Sequence, residues 1–349
     1  NSPSNTITLN TINSRDGTGI DVDDSNANII TSNTQYGAST GISVSNSNQL
    51  TIDGNSFINN YKGIYLNGVA EISVTNNVFE SNSSAYPNWW PTSDTAIQID
   101  GGTGHTISSN TISGSSDAGI RVSADTVTIH DNMISDATVG IFAVGSNNES
   151  LGSNIISNNV IERVDSFGIF IGENIDGNTI TGNTIKDGNY GLLLEKTNNN
   201  IISENTITNN KPSNFGYTTH LQSNPFGLDL RFSNNNEITN NQITNNENGI
   251  LLHTSNDNTI TSNTVNNNDG NGIDLKWGTG NKLVDNIANS NGGYGYLIEG
   301  DSSAVPELNW YGASGSGVPD VFTGNTATGN TLSNFEGVSA GSSMSVGTL

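Results

Sequence analysis

The sequence predicts an all-β solenoid built from parallel strands, and three observations carry that reading. First, a small residue followed by an apolar one and then by alternating side chains recurs at Gly19, Gly41, Gly63, Ala96, Gly119, Gly140, Gly168, Gly191, Gly227, Gly249, Gly272 and Gly295. Successive spacings are 22, 22, 33, 23, 21, 28, 23, 36, 22, 23 and 23 residues, so a unit of 22 or 23 residues repeats about twelve times. A fixed period in that range marks a solenoid. Second, the apolar residues sit at fixed repeat positions although they make up only 32% of the chain, which separates it from a disordered polar tract. Third, no stretch carries helical periodicity.

Each coil begins at its anchor with a short strand. In Gly249-Ile250-Leu251-Leu252-His253 the residues one and three beyond the anchor point inward, and those two and four beyond point out to solvent. A polar bend follows (Thr254-Ser255-Asn256-Asp257), then one or two further short strands within Asn258 to Val265. Strands this short must pair with their counterparts in the next coil, giving parallel sheets that rise about 4.8 Å per coil. The crossover rule makes the winding right-handed. The expected fold is therefore a right-handed parallel β-helix of about twelve coils with three loop insertions, a single domain over 1–349.

An asparagine ladder supports the register. Fourteen residues after the anchor come Asn33, Asn55, Asn77, Asn110, Asn205, Asn241, Asn263 and Asn286, with Asn132 one residue early and Asn183 one late. Stacked amides satisfy one another and the backbone at every bend, so these are read as structural. The anchor glycine marks a place where a larger side chain would be crowded.

This repeat resembles the right-handed parallel β-helix superfamily, the pectate-lyase-like fold, over essentially the full length. The Asn-Thr-Ile-Thr style is also similar to surface proteins of methanogens that include disaggregatase, which depolymerises an envelope polysaccharide. The resemblance is specific for the fold and not for a function, since similar proteins include polysaccharide lyases, polygalacturonase-type hydrolases, alginate epimerases, phage tailspikes and surface proteins of unassigned role. Asp-Pro-His-Glu, the motif of the alginate epimerases, is missing, and of the polygalacturonase set only the pair Asp23-Asp24 occurs. No catalytic residue is carried over from either.

Composition narrows the partners. Ten Lys plus Arg against 33 Asp plus Glu give a net charge of -23, which repels nucleic acid and anionic membranes. There is no cysteine, hence no disulfide or thiolate site, and no apolar run of about 20 residues, so no membrane insertion is expected. The chain opens at Asn1 already inside the repeat, and the expectation is an excised piece of a larger extracellular or cell-surface protein, with flanking domains or a homo-oligomer covering the open ends. No cofactor is expected. Ca²⁺ at Asp21, Asp23 and Asp24 is the one metal left open, with solvated carboxylates the simpler reading.

The outward positions of the anchor strands single out one face. Glu195, Asp229, Arg231, His253, Asp274 and Lys276 fall on adjacent coils, with Glu195 one coil and Asp274 two coils from Asp229, near 5 and 10 Å. Both separations suit a pair of hydrolytic carboxylates. Arg231 and Lys276 would bind a sugar carboxylate, and His253 would act as acid or base. Six of the ten basic residues, Lys186, Lys196, Lys211, Arg231, Lys276 and Lys282, fall in the same stretch. Trp277, with Trp89 and Trp90 in the 33-residue coil and Tyr217 and His220 in the 36-residue one, would line a saccharide groove.

The leading expectation is thus an extracellular glycoside hydrolase acting on a uronic-acid-containing polysaccharide, with Asp229 and Asp274 or Glu195 as the carboxylates. The alternatives are a lyase using Lys276, Arg231 or His253, and a non-catalytic glycan-binding or adhesion module in which the charged face is rung-to-rung ion pairing.

Overall fold

Short strands separated by tight turns account for every regular element described. The structure, a computed structural model, describes residues 3–15, 17–82, 94–115, 117–145, 151–212, 225–299, 320–333, 335–336 and 344–345. No helix occurs among them. The chain forms two compact units, Asn1–Ile169 and Phe170–Leu349.

In the first unit each rung contributes an anchor-sheet strand such as Thr40–Ser45, a second-sheet strand such as Thr51–Asp53 and a third-sheet strand such as Ser56–Ile58. Every pairing is parallel and joins equivalent residues of neighbouring rungs. Ile30, Ile52, Val74, Ile107, Ile129 and Ile156 form one inward column of the second sheet, each at most 1% exposed. Phe57 and Phe79 stack in the third sheet at 4.7 Å between ring centroids. Burial of each such side chain stabilises the fold by about 2 kcal/mol, and the register repeats the gain at every rung.

The second unit uses the same three-sheet rung. Its inward columns include Leu192, Leu228, Ile250 and Ile273 in the anchor sheet, Ile180, Ile202, Ile238, Ile260 and Leu283 in the second, and Ile185, Ile207, Ile243 and Val265 in the third. Each of the twelve anchors lies in or directly before an anchor-sheet strand, as the repeat predicts. One further short strand, Phe335–Glu336, pairs with Tyr296–Glu299 beyond the last anchor.

Crowding at the anchors has a specific source. A Cβ at Gly191 would lie 2.2 Å from the carbonyl oxygen of Gly227 in the next rung, and one at Gly249 2.1 Å from that of Gly272. The backbones of successive rungs meet there, leaving no room for a side chain.

The asparagines form more ladders than the sequence reading recovered. The anticipated one runs Asn33, Asn55, Asn77, Asn110, Asn132 in the first unit and Asn183, Asn205, Asn241, Asn263, Asn286 in the second, and at each step Nδ2 and the backbone N–H of one rung donate to Oδ1 of the next. The second unit carries two more, Asn178-Asn200-Asn236-Asn258-Asn281 and Asn210-Asn246-Asn268-Asn291-Asn330. Most of the buried amides also donate to a main-chain carbonyl, as Asn205 does to Ile180 at 2.9 Å, whereas Asn200 donates to the Thr197 hydroxyl. Polar groups at the bends are thereby satisfied without water.

Candidate functional site

The outward face of the anchor sheet in the second unit resolves into two columns. Parallel register aligns Leu193, Asp229, Leu251, Asp274 and Leu297 in one, and Glu195, Arg231, His253, Lys276 and Glu299 in the other. Successive members are one strand spacing apart, about 4.8 Å. The first column alternates leucine with aspartate. The second runs acid, base, imidazole, base, acid, symmetric about His253.

Asp229 and Asp274 do not face solvent as the alternation predicted. Asp229 is 0% exposed and Asp274 2%, because each sits between two leucines of its own column, with Leu193 at 0% and Leu251 at 4% exposure. Burial raises the pKa of both, that of Asp274 to about 6. Asp229 is held by Arg231, whose Nε and Nη2 donate to its Oδ2 at 3.0 and 2.8 Å. Asp274 accepts Nδ2 of Asn271 on Oδ2 at 3.1 Å. Among the described residues, neither Oδ1 has a hydrogen-bond partner. The two carboxylates are two rungs apart, as expected, but Glu195 lies opposite Arg231 and only diagonal to Asp229, which puts it farther away than the one-coil distance read from the sequence.

The second column is the accessible one. His253 is half-buried, with Nδ1 at 3.3 Å from Oγ1 of Thr254. Its ring meets Phe232 edge-on at 5.8 Å and Trp277 at 5.0 Å. Desolvation, then the charges of Arg231 and Lys276, push its pKa down to about 4, so the imidazole is neutral at ordinary pH. Lys276 contacts Glu299 at 3.1 Å. Both flanking aromatics occupy the left-handed region, Phe232 at φ 50° and Trp277 at φ 57°, the same turn position that is glycine at Gly68 and Gly101. Bulky side chains there cost on the order of 1 kcal/mol or more, so aromatic contact with the imidazole is held against local backbone preference.

The remaining expected contributors separate. Lys186 lies on the third sheet and Lys282 on the second, Lys196 pairs with Glu173, and Lys211 contacts Asp269 at 2.6 Å. The cationic strip therefore reduces to Arg231 and Lys276. Trp89, Trp90, Tyr217 and His220 lie outside the described residues. The sequence reading missed Tyr190 and Asn271, both near the leading ends of anchor strands. Tyr190 is within electrostatic reach of Asp229 and Arg231, and burial raises its pKa to about 12. Reading the column before the anchor would have exposed both. At the chain start, Asp23 accepts Ser45 Oγ and Asn46 Nδ2 at 2.8 and 2.9 Å, and no group of three or more His, Cys, Asp or Glu is placed to hold a metal among the described residues.

Comparison with known proteins agrees with the fold. The family model described as right handed beta helix region matches residues 62–224 and 213–310, and that of periplasmic copper-binding protein (NosD) matches residues 1–96. Residues 1–96 contain no Cys, His or Met, so the soft and imidazole donors of a copper site are missing from the matched stretch. No curated protein matches the chain. Among solved structures, the A-module of Azotobacter vinelandii mannuronan C-5 epimerase AlgE4 is similar at 11% identity, with 98% of this chain and 91% of that one covered and a TM-score of 0.61. DFA-IIIase from Arthrobacter chlorophenolicus A6 in complex with GF2 matches at 14% identity, 80% and 83% coverage and a TM-score of 0.62. Alginate lyase AlyF-OU02 with G6 matches at 13% identity, 85% and 80% coverage and a TM-score of 0.52. At these identities the likeness is one of fold.

Proposed function

The chain belongs to the right-handed β-helix family, and on that scaffold we propose that the anchor-sheet face of the second unit cleaves a uronic-acid-containing polysaccharide by β-elimination. The observation that carries the proposal is the column Arg231, His253, Lys276: a neutral, half-buried imidazole on the rung between two cations, on the face where both aspartates are enclosed.

The chemistry follows from those groups. A uronate carboxylate bound by Arg231 and Lys276 loses charge to them, which acidifies the adjacent C5–H. His253 takes that proton, the C5 electron pair forms the C4–C5 double bond, the C4–O bond breaks, and the departing glycosidic oxygen collects a proton. Ligand charge also offsets the two cations that lower the imidazole pKa, so the base strengthens when substrate is present. Hydrolysis by Asp229 and Asp274 fits less well, since a nucleophile or general base must touch the substrate and Asp229 is wholly enclosed and spent on Arg231.

Two of the similar structures, the mannuronan epimerase and the alginate lyase, act on carboxylate-bearing polymers, which supports the substrate class. The periplasmic family model matching residues 1–96 supports a location outside the cytoplasm. The test is incubation with a panel of uronate and neutral polysaccharides, following chain length and absorbance near the enone band together. Shortening of a uronate polymer with new absorbance is expected. Shortening without it would return the reaction to hydrolysis, and binding without shortening would make this face an adhesion surface.

A further inference from the structure

The first unit carries a polar cluster of its own on its anchor strands. It spans three consecutive rungs: Lys62 and Tyr65 on Lys62–Asn67, Gln98 and Asp100 on Thr95–Thr103, and Arg121 on Ala118–Asp125. Register aligns Tyr65, Gln98 and Arg121 in one outward column, with Asp100 in the column beside it. Asp100 is the hub. It accepts Arg121 Nη1 and Gln98 Nε2, the latter at 2.6 Å. Lys62 Nζ rests over the Tyr65 ring, 4.7 Å from its centroid.

An ion pair that served only the fold would consume its donors, and this one does not. Arg121 pairs with Asp100, and Lys62 lies within electrostatic reach of Asp100 and Asp94, in a chain of net charge -23. Among the described residues, Arg121 Nε and Gln98 Oε1 are buried without a hydrogen-bond partner, and Gln98 is 4% exposed. The bond from Gln98 Nε2 to Asp100 fixes which end of the amide is the acceptor, so the cluster holds an unmet donor and an unmet acceptor on neighbouring rungs. A simple anion such as sulfate brings acceptors only. A sugar acid brings a carboxylate for the cations and hydroxyl donors for the amide.

We propose that Lys62, Gln98 and Arg121 form a second ligand site, specific for a carboxylate-bearing sugar. It is separate from the chemistry proposed for the second unit and does not depend on it. Desolvation holds the half-buried Lys62 below the ordinary lysine pKa, with Asp100 and Asp94 offsetting part of that shift.

Calorimetric titration of the full chain with a uronic-acid trisaccharide, its carboxyl-reduced counterpart and sulfate tests the proposal. The parent is expected to bind the uronate and to bind the reduced sugar and sulfate at least tenfold more weakly. Lys62→Met, which keeps the aliphatic stem, and Arg121→Lys, which keeps the charge but loses the fork, should each remove this binding while thermal midpoints stay close to the parent's. If the second unit also binds, stoichiometry falls from two to one in these variants, and Lys276→Met removes the other site. If the second unit does not bind, stoichiometry is one and vanishes only in the first-unit variants. Unchanged uronate binding in both first-unit variants, equal binding of the reduced sugar, or no binding by the parent overturns the proposal.

Discussion

Arg231 turns back along its own strand onto Asp229, its Nε and Nη2 converging on the single oxygen Oδ2 at 3.0 and 2.8 Å. The pair is local, two residues apart, yet it sits where the anchor sheet presents its charged column. Asp229 is enclosed between Leu193 and Leu251, whereas the Arg231 side chain keeps 15% of its surface. The buried acid thus anchors an arginine that still reaches the surface.

Removing the acid tests that division of labour. Asp229→Asn leaves a largely buried guanidinium without its counter-charge and is expected to lower stability by about 3 kcal/mol. Where the variant remains folded, cleavage of a uronate polymer should persist. Urea unfolding and an assay below the variant's melting point measure the two effects, and loss of all cleavage in folded protein would restore Asp229 to the chemistry.

His253 carries the opposite expectation. His253→Gln should lower the rate of new absorbance at least 100-fold with little change in stability, as expected for loss of a general base. With an imidazole pKa near 4 in the free protein, kcat/KM should hold its plateau well below pH 6.5 and fall only as pH approaches 4. A fall centred near 6.5 would show that the ring titrates as if in water.

Asp274 sets a stability profile that can be read by pH. Its pKa is raised to about 6 from 3.8, so between those values the unfolded chain releases a proton that the folded one retains. Stability therefore falls as pH rises from about 4 to about 6, by on the order of 3 kcal/mol at 1.36 kcal/mol per unit. His253 acts with the opposite sign: its folded pKa is lowered, so its contribution is present above 6.5 and is lost as pH falls toward 4. Asp274→Asn should remove this fall between pH 4 and pH 6 and leave the slopes of the other shifted groups, His253 and Asp229 among them. The comparison of unfolding free energies at pH 4 and pH 7 in parent and variant separates the two.

The ladder gives a fourth expectation. Asn205 is 0% exposed and donates Nδ2 to Asn241 Oδ1 at 3.0 Å and to Ile180 O at 2.9 Å. Asn205→Asp keeps the shape, deletes both donors and faces an oxygen with an oxygen. A cost on the order of 3 kcal/mol is expected, read as a lowered urea midpoint. A neutral outcome would mean that the amides are filler.

Much of the fold was legible because a solenoid repeats its own evidence. Gly191 and Gly249 announce the rung, and Asn205, Asn241 and Asn263 announce the bend. Two further ladders are harder to read from sequence because asparagine is common in every turn. In the site, equating the outward side of the pleat with solvent misplaced Asp229 and Asp274. The correcting signal lay in the same column, where Leu193, Leu251 and Leu297 separate them and deny them water. Glu195 does stand one rung from Asp229, but diagonally, because residues two apart along a strand face different partners across it. Tyr190 lay ahead of the anchor, outside the positions compared.

The amide ladders also have a direction. In the ladders described above, the amide-to-amide bonds all run one way: Nδ2 donates to Oδ1 on the higher-numbered rung, as from Asn178 to Asn200 and from Asn236 to Asn258. Aligned amides add their dipoles, as peptide groups do in a helix, with the positive pole at the higher-numbered end. At that end of one ladder the acceptor for the backbone N–H of Asn281 is not another asparagine but Asp320, at 2.7 Å. A formal negative charge there meets the positive pole, so the ladder terminates in a sign-matched cap, and the same aspartate at the lower-numbered end would oppose the field it now completes.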